Sequence, residues 1–364
     1  MDTQWVVGLA VAIAAVALVL SWLSARHLPR PRPEQVPPAT TPARAAGLQR
    51  VALVLNPIKN DAEAARQKIV AACAEAGWDE PLVLETTVED PGHSQTRRAL
   101  AAGADVVLAG GGDGTLRVVA SELAGGKVPV GLVPLGTGNL LARNLGMDPN
   151  DLDTNIRTAL HGTSRRIDTA TITLENRHTR KVARDTFLVM AGAGLDAEVL
   201  AATRDELKKR IGWMAYSEAG VRHLPGKSRR VTVSFDDGPA EHRRIRSILF
   251  ANCGRMPAGI HFVPDALLDD GELDIVLLSP RSVVGWLWIG AKTVLKHPAP
   301  IPVIDYIRAK KIRITAHEPI NTQLDGDLHG HVTSLTVQVR PASLAVRVDP
   351  VALRNNPGAN SFSD

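Results

Sequence analysis

The sequence predicts an α/β fold in two domains. An N-terminal doubly wound domain of parallel strands and covering helices is followed by a C-terminal antiparallel β-rich domain, a sandwich, and one transmembrane helix precedes both. Three observations carry this reading. Between Val51 and Leu145, short apolar runs alternate with helical stretches, as they do where a parallel sheet is covered on both faces. Beyond about Arg166 the period becomes two, as in Ala170-Thr171-Ile172-Thr173-Leu174, the mark of strands with one buried face. From Trp5 to Leu23 the chain is apolar and uncharged, close to the roughly 20 residues a helix needs to cross a bilayer.

Taken in order, residues 1–27 are expected to anchor the chain. Asp2 and the lack of a basic residue before the apolar run argue against a cleaved signal peptide. Arg26, Arg30, Arg32, Arg44 and Arg50 follow the run, with only Glu34 opposing them. The positive-inside rule then places the catalytic domains on the cytoplasmic side of the inner or cell membrane, as a single-pass protein. Six prolines in residues 28–48 exclude a regular helix and predict a semi-extended tether. The overall charge of +4 is concentrated near the N-terminus, which favours a bilayer over nucleic acid as partner. Cys73 and Cys253 stand far apart, and no Cys/His spacing suits zinc. Oligomeric state is left open.

The α/β domain is expected over residues 49–165. Its strands are Val51–Leu55, Leu82–Leu84, Val106–Ala109 and Val130–Val133, and its helices Ala62–Ala76, Ser94–Ala102, Leu116–Leu123 and Leu140–Leu145. The β-rich domain is expected over 166–350. Val231–Phe235 ends in the turn signal Asp236-Asp237-Gly238, while Ile312–Thr315, Leu335–Val339 and Leu344–Val348 continue the alternation. Ala201–Leu224 reads as a helical insertion. Ser282–Lys296, with Trp286 and Trp288, reads as a core helix or a surface helix dipping into lipid headgroups, and residues 351–364 as a loose tail.

Gly110-Gly111-Gly112-Asp113-Gly114-Thr115 lies between a strand and a helix, where free backbone N–H groups at the positive end of a helix suit a phosphate. Glycine lets the backbone approach phosphate oxygens. Asp113 makes sense there if it holds Mg²⁺ or organises a metal-bound water network. The loop is neither a Walker A motif nor Gly-x-Gly-x-x-Gly. A second loop, Pro134-Leu135-Gly136-Thr137-Gly138-Asn139, ends the next strand, so both should converge at the C-terminal edge of the sheet. The alternative is that these glycines only turn tight corners.

Asn56-Pro57, Gly111-Gly112-Asp113-Gly114-Thr115 and Pro134-Leu135-Gly136-Thr137-Gly138-Asn139, in this order and spacing, resemble the diacylglycerol kinase catalytic family, in particular its bacterial lipid kinases. Asp168, Ala191-Gly192-Ala193-Gly194-Leu195-Asp196-Ala197, Lys208-Lys209-Arg210-Ile211-Gly212 with Tyr216, and the Asp269-Asp270-Gly271 segment extend the resemblance over roughly Arg50 to Val348. It implies an ATP-dependent kinase for a lipid hydroxyl. Gly111, Gly112, Asp113, Gly114, Thr115, Leu116 and Arg117 would line the ATP phosphates, joined by Asn56, Thr86, Thr87, Gly136, Thr137 and Asn139. The family usually has Asn where Arg117 stands. Its Mg²⁺ site maps onto the Asp270 carboxylate with backbone oxygens of Leu267 and Glu272; read without the family, that segment is an acidic β-turn. Leu324-Asp325-Gly326-Asp327 matches the family's Asp-Gly-Glu motif, so that Asp325 and Asp327 would supply the general base and its partner, with Asp327 replacing the usual Glu. By residues alone this is a hairpin turn. The rival activities are a kinase for a soluble substrate such as NAD and a catalytically weak nucleotide- or lipid-binding regulator.

Overall fold

The computed structural model describes residues 49–194, 228–254, 263, 266–279 and 304–349. The expected anchor at Trp5–Leu23, the tether, the insertion at Ala201–Leu224, the helix at Ser282–Lys296 and the tail lie outside the described residues. Among the described residues no helix is long and apolar enough to cross a membrane.

Four parallel strands open the fold: β1 (Val51–Leu55), β2 (Leu82–Glu85), β3 (Val106–Gly111) and β4 (Val130–Pro134), side by side in the order β4-β3-β1-β2. Five helices accompany them: α1 (Ala62–Glu75), α2 (His93–Ala101), α3 (Asp113–Leu123), α4 (Leu140–Asn144) and α5 (Leu152–His161). Alternation along the strands decides which helix covers which face. Val51, Leu53, Leu55, Val106 and Leu108 pack with Ala65, Ile69 and Cys73 of α1 and Ile156, Ala159 and Leu160 of α5. Ala52, Val54, Val107 and Ala109 point the other way, onto α2, α3 and α4. The sheet is therefore covered on both faces, as the sequence pattern predicts. Helices α1 and α2 each end in the same device: the N–H of Gly77 bonds to Ala74 O and that of Trp78 to Cys73 O, with Gly103 and Ala104 repeating the pair. Both glycines take positive φ, 68° and 75°, the left-handed stop of a Schellman motif.

Two sequence expectations shift here. β3 runs on to Gly111, and α3 starts at Asp113 instead of Leu116. Helix α5 is not anticipated by the sequence reading, although Asp151 caps it by accepting from Thr154 N.

The second half is antiparallel: β5 (Thr163–Asn176), β6 (Lys181–Phe187), β7 (Met190–Gly194), β8 (Arg229–Phe235), β9 (Glu241–Ile245), β10 (Ser247–Ala251), β11 (Leu273–Leu278), β12 (Ile304–Ala309), β13 (Lys311–Leu324) and β14 (Asp327–Val348). One layer runs β9-β8-β13-β14-β5-β6 and the other β12-β11-β10-β7, which joins the far end of β13. β13 changes partner across a register shift between Thr315 and Ile320, the kind of irregularity that lets one strand serve two layers. Ile172, Phe187, Val233, Phe250, Ile275, Ile314 and Val337 fill the space between the layers. The β8–β9 hairpin turns at Asp236 and Asp237, both at positive φ, as the Asp-Asp-Gly signal predicts.

The two halves form one continuous sheet. Val346 of β14 pairs in parallel with Val130 of β4, and Leu344, Val346 and Val348 share a buried cluster with Leu123, Val130 and Leu132.

Candidate active site

The C-terminal ends of β1 to β4 lie along one edge, fixed by the pairs Leu55↔Glu85, Leu55↔Gly110 and Gly111↔Pro134. Asn56, Thr86, Thr87 and both glycine segments therefore emerge together. Asn56 N donates to Gly110 O at 2.8 Å, and its side-chain oxygen accepts from Ile58 N. Thr86 is buried with its N–H on Leu55 O, whereas Thr87 and Thr137 are exposed at the edge.

The first glycine segment is the end of a strand running directly into a helix. Gly112 is the N-cap of α3, and Asp113, Gly114 and Thr115 make its first turn, whose amides have no carbonyl partner within the helix. Leu116 does not belong to that set: its N–H is bonded to Gly112 O and its side chain is in the core. The glycines serve close approach. A Cβ on Gly136 would lie 2.6 Å from Gly112 Cα, so the two segments touch backbone to backbone. A Cβ on Gly111 would lie 2.5 Å from Thr115 Oγ1.

Asp113 and Asn139 lock the second segment in place. Asp113 Oδ1 accepts from Leu140 N at 2.6 Å. Burial raises the Asp113 pKa, and the charge of Asp327 adds to this, against the pull of the Leu140 and Asn139 amides. Asn139 sits at φ 47°, accepting from Gly136 N and donating to Gly136 O at 2.7 Å.

Across the cleft, Asp325 and Gly326 form the two-residue β13–β14 turn, both at positive φ, a type I′ hairpin. The two aspartates of this motif have different surroundings. Asp325 is buried, and its carboxylate accepts from Leu188 N, Val189 N and Met190 N at 2.9–3.0 Å. Burial pushes its pKa up to about 6 against those three donors. Enclosed this way, it pins the hairpin to the β6–β7 connection. Asp327 is open, with 56% of its side chain exposed. A Cβ on Gly114 would meet Asp327 Oδ2 at 3.4 Å, which puts that carboxylate beside the first turn of α3.

Arg117, in the second turn of α3, is turned toward two carboxylates. It is buried, with Nη1 2.8 Å from Asp185 Oδ2 and Nη2 3.1 Å from Asp327 Oδ2. Burial opposes its charge, but Asp185, Asp325 and Asp327 outweigh burial and raise its pKa. His329 Nε2 stands 3.7 Å from Asp185 Oδ2. Burial and Arg117 lower the histidine's pKa, against Asp185 and Asp327. Sequence reasoning missed Asp185 and His329. Nothing local marks Asp185 within β6, but His329 lies two residues beyond Asp327 on one strand, a spacing that puts side chains on one face.

The Asp269-Asp270-Gly271 segment is a turn with Gly271 at φ 73°, tied down by Asp168, whose carboxylate accepts from Gly271 N and Ala342 N at 2.7 and 2.6 Å. Asp270 accepts from Glu272 N. Burial pushes its pKa up to about 6, with Asp274 and Asp168 adding to the rise and the Glu272 amide and Arg308 opposing it. Among the described residues no three or more His, Cys, Asp or Glu side chains converge as a metal centre, so any cation here would draw on backbone oxygens such as those of Leu267 and Glu272.

Comparison with known proteins places the chain in a family. Residues 50–172 match the diacylglycerol kinase catalytic domain, and 189–348 the YegS C-terminal NAD kinase beta sandwich-like domain. A probable lipid kinase YegS-like protein of Pseudomonas fluorescens Pf-5 is 32% identical over 77% of this chain and 89% of its own length. Its Pseudomonas aeruginosa PAO1 counterpart is 34% identical over 77% and 88%, and the diacylglycerol kinase of Bacillus subtilis 168 is 26% identical over 70% and 82%. A solved structure of a putative diacylglycerol kinase from Bacillus anthracis Sterne superposes with a TM-score of 0.67 at 21% identity, over 86% of this chain and 99% of that one. Yeast NADH kinase shares the fold more distantly, at a TM-score of 0.51, 11% identity, and 87% and 89% coverage, so fold alone does not select the acceptor. The sequence matches do what the fold cannot: this chain belongs to the YegS-like lipid kinases, built from a diacylglycerol kinase catalytic domain and its β-sandwich partner.

Proposed function

We propose that the protein transfers the γ-phosphate of ATP to the hydroxyl of diacylglycerol or a related membrane lipid, with Asp327 as general base. The observation that carries this is the position of Asp327, an exposed carboxylate held beside Gly114 at the first turn of α3. The amides of Asp113, Gly114 and Thr115 bind the phosphates at the helix N-terminus. The lipid hydroxyl enters from the β-rich side. As its oxygen bonds to the γ-phosphorus and the bond to the β–γ bridging oxygen breaks, its proton passes to Asp327, leaving ADP and the phosphorylated lipid. Asp325 holds the hairpin in place and takes no proton. Magnesium bound with ATP neutralises phosphate charge, and Asp113, close enough to Asp327 for the two charges to interact, would orient its water shell. A second, structural magnesium would sit at Asp270 with backbone oxygens of Leu267 and Glu272.

Residues 1–27 would hold the enzyme at the bilayer in which its substrate lies, with the catalytic halves on the cytoplasmic side. The uncharged run Trp5–Leu23 supports this. Purified protein with labelled ATP and a panel of diacylglycerol, ceramide, sphingoid base, phosphatidylglycerol and NAD tests the activity. Label on a lipid, absent with Asp327→Ala, is expected; label on NAD alone would reject the lipid reading. Deleting the residues before Pro29 should release the protein from membranes, and retention would reject the anchor.

A further inference from the structure

Arg117 and Asp327 are two motif positions at which this chain departs from the pattern it resembles, which has Asn at the first and Glu at the second. They lie 210 residues apart, yet the fold brings them into contact, Nη2 to Oδ2 at 3.1 Å. We propose that Arg117 is a positioning residue, held by Asp185, that fastens the shorter carboxylate of Asp327 to the first turn of α3. On this view the two departures form one compensating pair. The inference rests on the lipid-kinase reading of the same site.

Arg117 projects from α3, the helix whose first turn carries the phosphate amides, so whatever it grips is registered to those amides. Its guanidinium fork is engaged at two points, by Asp185 of β6 and Asp327 of β14, and two bonds fix the plane of the group as one cannot. The fork is well packed: the residue is 8% exposed. Its Nε is buried with no hydrogen-bond partner among the described residues, so the two carboxylates hold the fork. Asp325 adds a third negative charge nearby, and His329 borders Asp185 from β14. Glutamate at position 327 reaches about 1.5 Å further, one carbon–carbon bond, and needs no such tie. Asparagine at 117 is too short to bridge the two carboxylates and carries no charge to balance them. A long cation with a short carboxylate, or a short neutral side chain with a long carboxylate, each completes the site; mixed combinations do not.

The test is a cycle of four proteins, wild type, Arg117→Asn, Asp327→Glu and the double variant, with Asp185→Asn beside them. The assay is phosphorylation of diacylglycerol in mixed vesicles. Each single variant should lose about tenfold or more in kcat with the KM for ATP within about twofold of wild type, the signature of an interaction that acts on the chemical step. Asp185→Asn should move in the same direction. The double variant should recover to within about threefold of wild type, a non-additivity that independent sites do not show. A double variant reduced by the product of the two single losses would overturn the proposal. So would a tenfold rise in KM for ATP in Arg117→Asn at unchanged kcat, which would make Arg117 a phosphate ligand. Absence of lipid phosphorylation by the wild type would reject the functional reading alone. The pair is then judged from urea unfolding midpoints of the same four proteins, where coupling supports it and additivity overturns it.

Discussion

Asp325 and Asp327 stand two residues apart on one hairpin, and their surroundings assign them different work. Asp327 is open and touches a guanidinium, so removing its charge should affect chemistry more than folding. Asp327→Asn is expected to lower kcat about 10²–10⁴-fold, the range of a general base, with the KM for ATP and the urea midpoint near wild type. Asp325 satisfies three buried amides. Asp325→Ala strands all three and should destabilise the protein by roughly 3–5 kcal/mol, read as a lowered urea midpoint. Equal effects of the two substitutions on stability would contradict the division. The Asp-Gly pair is legible in the sequence, but the difference between its neighbours is not, because the amides that enclose Asp325 come from 135 to 137 residues away. Arg117 follows the same logic. Its place after the glycines suggests phosphate, and only the packing of α3 against β6 shows the guanidinium turned to Asp185.

At the scale of elements, the glycine segments and the acidic turn carry the testable content. Gly136 and Gly112 touch, but unequally: a Cβ on Gly136 meets Gly112 Cα at 2.6 Å, whereas one on Gly112 meets Gly136 Cα at 3.3 Å. Gly136→Ala should therefore raise the KM for ATP and lower Tm more than Gly112→Ala, because the closer Cβ forces the two backbones apart while the other needs them to give by only a few tenths of an ångström. The reverse order would show that phosphate access, not contact between segments, sets the requirement. At the acidic turn, burial pushes Asp270 up to about 6, above the value near 3.9 of an unfolded chain. The folded state thus holds a proton there that the unfolded state releases. Its contribution is complete below about pH 4 and is lost as pH rises through about 6. Asp270→Asn removes that loss, so its Tm relative to wild type should climb between pH 4 and pH 7. Magnesium at pH 7 should raise the Tm of wild type and not of this variant; an equal response in both would place the cation elsewhere.

The parallel strands and most of their helices are legible because each apolar run is a complete strand with a matching helix behind it. The antiparallel half is less so. β13 and β14 appear in the sequence as fragments, Ile312–Thr315, Leu335–Val339 and Leu344–Val348. The register shifts at Thr315/Ile320 and Arg340/Leu344, with Ala342 at φ 46°, interrupt the alternation without ending the strands.

Across the whole molecule, the cleft is rigid where its two walls share a core. β14 carries Asp327 at one end and, at the other, Val346 against Val130 of the parallel sheet. Leu344, Val346 and Val348 are buried in the same cluster as Leu116, Val119 and Leu123 of α3. One strand and one helix thus connect the proposed base to the proposed phosphate-binding turn through packed apolar side chains. This arrangement predicts that the described halves unfold together: near-ultraviolet and far-ultraviolet transitions in urea should coincide, and separated transitions would show that the halves are independent. In the proposed reaction this cleft transfers phosphate to a lipid hydroxyl and Asp327 takes the proton. Its most direct measurement is the product formed from γ-labelled ATP and diacylglycerol vesicles by wild type and by Asp327→Asn of equal urea midpoint. Labelled phosphatidic acid is expected from the first and at least about a hundredfold less from the second; no labelled lipid from wild type, or equal product from both, would contradict this mechanism.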